Sequence, residues 1–409
     1  MNILILHRVP YARIEYHRGI DHNLHQVTYF GKQAAIDSLP PTLRCRAVVR
    51  AGAASAFEEA SAWLRQCPQR FDRIISLSEY ELLDAAQLRE AFAVAGPCVR
   101  EVTLVRHKVH MKEAVARQGL RVPRFMPMVT FIDRPQSIPW AGRTVIKPHS
   151  GASSVDVEIH PTPLAAWERA ALQMASGGWA VNDFQVEEYI DGPVRHFDGL
   201  VQDGQLLALI ASEYVGTCLA YMAQGAPLGS VQLDTDARQR QWVERVLSAV
   251  EITQGAFHLE AIMDGHEPVF LEVGNRVGGA DVVTTFEMAT GIHLPSFELR
   301  ILTDGQPVQP WLPKQAVTPG FGWFAFAGHT LHPATFNGLV GAEPFRSSEA
   351  IVQWHELPYG SALPAHVTYS AHEAPLTGIV RHSDAAKTRA WLQQLLATVG
   401  LAKGNAAVA

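Results

Sequence analysis

Short apolar runs alternate with helically spaced segments through the first part of the chain. Met1–Leu6 is largely apolar before His7 and Arg8 break it, and Arg73–Leu77 carries a second such run. Both suit buried parallel strands. Glu81–Phe92 has helical spacing, with Leu82, Leu83, Ala86 and Leu88 on one side. The alternation predicts a small Rossmann-like unit ending near Gly96-Pro97. No G-x-G-x-x-G follows the first strand, so no dinucleotide is assigned to it.

A helix is predicted over Val102–Gln118, stopped by Gly119 with Pro123 behind it. Arg143–Pro148 then reads as a strand, His149–Ser154 as a small-residue loop, and Val155–His160 as the partner strand. Thr162-Pro163 has the form of an N-cap followed by proline at the first helical position, opening a helix to about Ala175. Asp183–Ile190 returns as a strand, and the whole unit has the size of a lid. Strands dominate Phe197–Val273 apart from a helix over Asp236–Val250. The C-terminal stretch, rich in Gly, Pro and aromatics, reads as a β-rich element closed by a helix over Ser383–Thr398, with a frayed tail Ala402–Ala409. The expected division is 1–100, 101–310 with a lid over about 123–190, and 311–409.

The densest chemistry lies between Ala256 and Gly279. Two alternating strands, Ala256–Met263 and Val269–Val273, flank the turn residues Asp264-Gly265-His266-Glu267-Pro268. If those five form the loop, Met263 opposes Val269, Ile262 opposes Phe270, and Glu260 directly opposes Glu272. The two carboxylates then share a face at roughly 5 Å between Cβ atoms, which is destabilising unless a cation lies between them. Magnesium carrying nucleotide phosphates is a common solution; a solvated hairpin is the bland one. His258 shares the face, but no second His or Cys ligand is evident nearby to make zinc. Gly274-Asn275-Arg276-Val277-Gly278-Gly279 follows. Its arginine suits a phosphate clamp and its two glycines let backbone approach a ligand, although a tight turn with a surface arginine reads equally well.

Composition narrows the ligand. The chain has 409 residues, 47% hydrophobic and 18% charged, as an ordinary soluble globular protein of two or three domains would. A formal charge of -6 argues against nucleic acid. No apolar run approaches the ~18 residues of a membrane helix, and Met1–Leu6 is too short for a secretory signal, so a cytoplasmic protein acting on small molecules is expected. Cys45, Cys67, Cys98 and Cys218 lie far apart, which fits reduced thiols.

With these residues in view, the chain resembles the ATP-grasp superfamily. In that family a hairpin bears an acid on each strand, the second strand continues E-x-N-x-R, and both acids hold magnesium on the ATP phosphates. Phe257-His258-Leu259-Glu260 and Leu271-Glu272-Val273-Gly274-Asn275-Arg276 match those places. Arg106–Lys112 looks like the family's first phosphate lysine, with Lys108 in that role, and Val145-Ile146-Lys147-Pro148 like the second. The loop His149–Ser154, with Ser153 and Ser154, looks like the phosphate loop. Val186–Gly192 resembles the adenine hinge, with Glu187, Glu188, Tyr189 and Ile190 at the ring edge.

The resemblance implies an ATP-grasp fold of α/β class, with an N-terminal Rossmann-like domain, a mobile β-rich lid and a central antiparallel sheet. It implies ATP with magnesium (manganese able to replace it), held by Glu260 and Glu272. Two departures stand out. Gly274 occupies the usual place of the metal asparagine, so either Asn275 serves through a bulge or that ligand is lost. Val194 falls where many members carry a ribose-binding glutamate, leaving Asp191, His196 or Asp198 for that contact.

Biotin-dependent carboxylases continue past the arginine with a Q-V-E-H-like stretch, unlike Val277-Gly278-Gly279-Ala280-Asp281 here. The double glycine, the helical segment around Glu79–Phe92 and the glycine-rich C-terminal part (Gly320–Gly328, Phe336–Gly341) look more like L-amino-acid and dipeptide ligases. That subgroup implies an acyl phosphate attacked by an amine, with Lys147 and Arg276 catalytic and Arg276, Gly278 and Gly279 at the substrate. It also implies amino acids as carboxylate and amine, and is compatible with a homodimer. An ATP-binding regulator that has lost catalysis, or a ligase with a non-amine nucleophile, shares the same motifs. Ala220–Ser230 either covers the substrate or is an ordinary loop.

Overall fold

Ile3, Leu4, Ile5 and Leu6 are all buried, as strand residues are when a parallel sheet is covered on both faces. They belong to β1 (Asn2–Leu6), which pairs with β2 (Gln26–Gly31) and β4 (Arg73–Ser76), while β3 (Arg46–Val49) pairs with β2. Every pairing is parallel, in the order β3-β2-β1-β4, as the Rossmann-like reading requires. Helix Ala56–Gln66 starts in a capping box between Ser55 and Glu58 and packs on the Leu4 and Leu6 face. Helix Leu82–Ala91 joins it there through Ala85 and Leu88; Leu82 and Leu83 are only half-buried, so the buried side is rotated from the expected one. This computed structural model describes residues 1–313 and 318–402. Of the expected tail, Ala402 is tied to the Gly338 carbonyl, and 403–409 lie outside the described residues.

The single helix expected over Val102–Gln118 is instead two, Val99–Leu104 and Lys108–Arg117. Tertiary partners make the break. Arg106 turns to the Glu79 carboxylate, the His107 side chain caps the second helix, and the Lys108 N–H donates to the His149 carbonyl at 2.8 Å. A continuous helix would have used that N–H internally.

The segment expected to be a lid folds as an antiparallel sheet of β5 (Phe125–Pro127), β6 (Thr144–Pro148), β7 (Glu158–His160) and β8 (Phe184–Glu188), in the order β5-β8-β6-β7. Thr162 caps helix Pro163–Ala175 by accepting from the Ala165 N–H, with Pro163 first in the helix. The strand expected over Val155–His160 keeps only its last three residues. Ser153, Ser154 and Asp156 hold φ of 58°, 56° and 57°, a left-handed path that curls the chain before it can extend.

The central sheet gathers β9 (Val194–Gln202), β10 (Gln205–Val215), β11 (Leu228–Leu233), β12 (Gly255–Asp264), β13 (Glu267–Gly274) and β14 (Phe321–Phe326). After a short pair of β15 (Leu339–Val340) with β18 (Gly400–Leu401), β16 (Ile351–Glu356) and β17 (Leu376–Arg381) extend it. The order is β13-β12-β9-β10-β11-β14-β17-β16, antiparallel throughout. Helix Cys218–Gln224 interrupts the stretch read as strands, whereas helices Ala237–Ala249 and Ala385–Thr398 fall where expected.

Alternation along the strands assigns the two faces. Phe197, Phe257, Leu259 and Phe270 point to one side, packed with Met111 and Val115 and with Val243 and Val246 of two covering helices. His196, Asp198, His258 and Glu260 point to the other. Their apolar neighbours on that face, Leu200 and Ala256, pack with Phe286 and Leu294. A sheet that is apolar on one face and polar over part of the other leaves that polar part for a ligand. No helix among the described residues is long and apolar enough to cross a membrane.

Candidate active site

β12 and β13 turn through two residues, Gly265 and His266, with Gly265 at φ 61°, and not through the expected five-residue loop. Met263 therefore faces Pro268 and Ile262 faces Val269, one place off the expected register. Continued unchanged, this would set Glu260 against Leu271. The register shifts between Glu260 and Ala261, however, and Leu271 becomes the extra residue of a bulge, so Glu260 does pair with Glu272.

Both glutamates line a cavity of about 440 Å³ between the lid sheet and the central sheet. Lys108, Lys147, Ser154, Glu187, Glu188, Tyr189 and Ile190 line it as well; Ser153 does not. One end is apolar, built from Val145, Val157, Ile159, Ile190, Ile262 and Leu271. There the Arg143 guanidinium lies 3.5 Å from the centre of the Tyr189 ring, a flat stacked wall. The other end holds the charges. Thr217, Cys218 and Leu219 also face the cavity, and of the segment Ala220–Ser230 its residues Ala220 and Gln224 do.

The charged end is organised by Glu187. Its Oε1 lies 2.6 Å from Lys147 Nζ, and its Oε2 meets the Lys112 ammonium, which is fully buried. Burial pushes Lys112 down to about 7 even against the attraction of Glu187, while the two lysines hold the Glu187 carboxyl below its ordinary range despite its burial. Lys112 was not singled out in the sequence, although its i, i+4 spacing from Lys108 on one helix was available. Glu188, by contrast, turns outward to Arg124 Nε at 2.7 Å.

Lys108 Nζ is 2.8 Å from Glu272 and 3.1 Å from the Gly151 carbonyl of the loop. Burial alone would raise the Glu272 carboxyl; Lys108 and Lys147 bring it down to about 2. Glu260 Oε1 accepts from the Tyr214 hydroxyl at 2.8 Å and from His258 Nε2 at 3.3 Å, and its Oε2 takes no hydrogen bond among the described residues. Two paired carboxylates with a free oxygen, facing two lysines, fit a hard divalent cation carried on phosphates.

His258 donates from Nδ1 to Asp198 Oδ1 at 2.7 Å, and Asp198 Oδ2 lies 2.5 Å from His196 Nδ1. Burial would lower the His258 imidazole, but the Asp198 and Glu260 carboxylates raise it to about 9. His196 continues to the Ser230 hydroxyl at 2.7 Å. Buried inside this network, His196 does not line the cavity, which corrects its expected place at the nucleotide.

Asn275 is a second correction. Its Nδ2 donates to the Gln254 and Ala256 carbonyls at 3.0 and 2.8 Å, and it lines a separate cavity of about 190 Å³ beside β4. The bulge falls at Leu271 and not at Gly274, so nothing swings Asn275 back toward the pair. Arg276 Nε is 2.5 Å from Glu79, which also holds Arg106, and Arg276 Nη1 donates to the Val277 carbonyl at 2.8 Å. Glu79 was legible only as part of a helical region. A Cβ on Gly278 would lie 2.8 Å from Asp198 Oδ1 and 2.9 Å from His258 Nδ1, so only glycine lets this loop close over the pair, whereas Gly279 borders open space.

No protein-family model matches the sequence. It is 29% identical to the L-arginine-specific L-amino acid ligase of Bacillus subtilis, over 56% of this chain and 57% of that protein, so the match spans little more than half of the relative. In structure it is similar to the L-amino acid ligase of Bacillus licheniformis, with a TM-score of 0.71 and 19% identity over 99% of this chain and 98% of that one. It is also similar to N5-carboxyaminoimidazole synthetase from Staphylococcus aureus complexed with ADP, with a TM-score of 0.65 and 12% identity over 97% and 96%. At such identities the structural matches establish the fold.

Proposed function

We propose that this ATP-grasp chain uses ATP to activate a carboxylate as an acyl phosphate and passes the acyl group to an amine, releasing ADP and phosphate. The observation that carries the reading is the convergence of Lys108, Lys147, Glu260 and Glu272 on one cavity, although the four come from a helix, a lid strand and a hairpin. Adenine fits the apolar end beside Tyr189, with the hinge backbone of Glu188–Ile190 at its edge. Ser154 and the Gly151 loop cover the phosphates. Magnesium, or manganese in its place, would lie on Glu260 and Glu272 and neutralise phosphate charge.

This chain's own residues would then do the following. Lys108 leaves Glu272 for a phosphate, and Lys147 turns from Glu187 to another, while Lys112 stays to keep Glu187 paired. Arg276, held at its Nε by Glu79 and at its Nη1 by the Val277 carbonyl, does not line the cavity of the pair and would turn its Nη2 toward the forming acyl phosphate. Gly278 and Gly279 let the loop backbone approach the substrate. The likeness to an arginine-specific amino-acid ligase supports amino acids as both partners. Domain limits at 1–100, 101–310 and 311–409, a lid over about 123–190, a cytoplasmic setting and a homodimer belong to the same reading.

ADP release measured against amino acids, singly and in pairs and with arginine included, tests it. The acid with ATP alone should move oxygen-18 from the carboxylate into phosphate. Release of AMP and pyrophosphate would sink the acyl-phosphate route. Asn275, turned from the pair, favours one second reading, an ATP-binding regulator; that reading expects nucleotide binding with no ADP release from any pair.

A further inference from the structure

We infer that the hydrogen-bonded chain Ser230–His196–Asp198–His258, together with the Tyr214 hydroxyl, positions Glu260 so that only its Oε2 faces the nucleotide. The inference rests on the reading of Glu260 and Glu272 as a magnesium pair. Its members come from four adjacent strands, β11, β9, β12 and β10, and share one face of the central sheet.

Glu260 is a flexible side chain whose two oxygens are chemically alike. Here they are not equivalent, because Oε1 has two hydrogen-bond partners and Oε2 has none among the described residues. Tilting the carboxylate out of this arrangement would break both contacts, so its orientation is set before any ligand arrives. His258 keeps its Nε2 fixed beside Glu260 because its other nitrogen is held by Asp198, and Asp198 is itself held by His196. His196 and Asp198 are 1% exposed and His258 8%, and none of the three lines the cavity, so they reach the chemistry only through Glu260. They are positioning residues.

His196, Asp198 and His258 lie close enough together to hold an ion themselves. Their ligating atoms, however, are already engaged with Ser230, with Glu260 and with one another, so the set is complete as a hydrogen-bonded chain. Gly278 ties it to the loop after Arg276, because any side chain there would displace Asp198 and His258.

The test is Mn2+ binding in the presence of ADP, followed by the electron paramagnetic resonance of free Mn2+, with metal-free ADP affinity measured alongside. Tyr214→Phe removes one hydroxyl and keeps the ring. Asp198→Asn breaks the chain at its centre. Each should weaken Mn2+ by about 10–100-fold while leaving metal-free ADP affinity unchanged. Glu272→Gln is the control for the underlying reading. If it loses Mn2+ while Tyr214→Phe and Asp198→Asn bind it like the wild type, the positioning chain is wrong and the metal pair stands. If Glu272→Gln also binds Mn2+ like the wild type, the metal pair fails and the inference with it.

Discussion

The Lys108 ammonium lies 2.8 Å from the Glu272 carboxylate, so the lysine proposed for phosphate and the acid proposed for the metal hold each other in the structure. The lysine holds the Glu272 carboxyl low, and both side chains line the cavity. Replacing Glu272 by glutamine keeps the shape and removes the charge. ADP formation should fall by at least about a hundredfold, the scale of losing a metal-held phosphate clamp, with an unchanged thermal midpoint. Near-wild-type turnover would refute the roles given to the hairpin.

Glu187 neutralises two buried lysines at once. Glu187→Gln strands both and should destabilise the protein by about 3–5 kcal/mol in urea unfolding. Lys112→Met leaves Glu187 paired with Lys147 and should be milder. The reverse ranking would mean that the triad is not what holds this corner of the lid to helix Lys108–Arg117.

Arg276 uses separate nitrogens on Glu79 and on the Val277 carbonyl. Lysine keeps the charge but has no fork, so Arg276→Lys should lower turnover far more than nucleotide affinity. Steady-state rates set against ADP binding separate the two effects. Full activity with lysine would reduce Arg276 to a residue that closes a turn.

Glu298 is buried and lines the same cavity as Asn275, and its Oε2 has no hydrogen-bond partner among the described residues. Burial pushes its carboxyl from the ordinary 4.5 up to about 8. Between those values the folded protein keeps a proton that the unfolded chain has lost, so stability falls as pH rises, by about 1.4 kcal/mol per unit from this group. Glu298→Gln should flatten that slope and be more stable than the wild type above neutral pH. Denaturant midpoints at about pH 5 and about pH 8 give the comparison; parallel slopes would place the shift elsewhere.

The lid loop spans Ser150–Ser154 and includes two serines at positive φ. Its carbonyl at Gly151 is held by Lys108, which we assign to phosphate. Amide exchange over about 123–190 should slow when an ATP analogue binds, because phosphates supply the partners that order the loop. Equal protection with and without nucleotide would count against a closing lid.

The sequence alone determined the elements and the chemistry they carry. Apolar runs and alternation are local signals, and so are a cap such as Thr162-Pro163 and the order of Lys108, Lys147, Glu187, Glu260 and Glu272. Thr162 does cap its helix, and those five charged residues do line one cavity. Tertiary structure decided what depends on partners distant in the chain. The helix expected over Val102–Gln118 breaks because Glu79, His149 and the His107 cap claim its groups. The register of the Glu260–Glu272 pair came from a bulge at Leu271, which offset a turn shorter than expected. Asn275 turned away because carbonyls of β12 and its approach accept its amide. Lys112, Tyr214 and Asp198 became parts of the site only when strands and helices remote in sequence packed together. A motif lists which side chains are near one another along the chain, but hydrogen-bond partners across a sheet are set by register and burial, which no local pattern encodes.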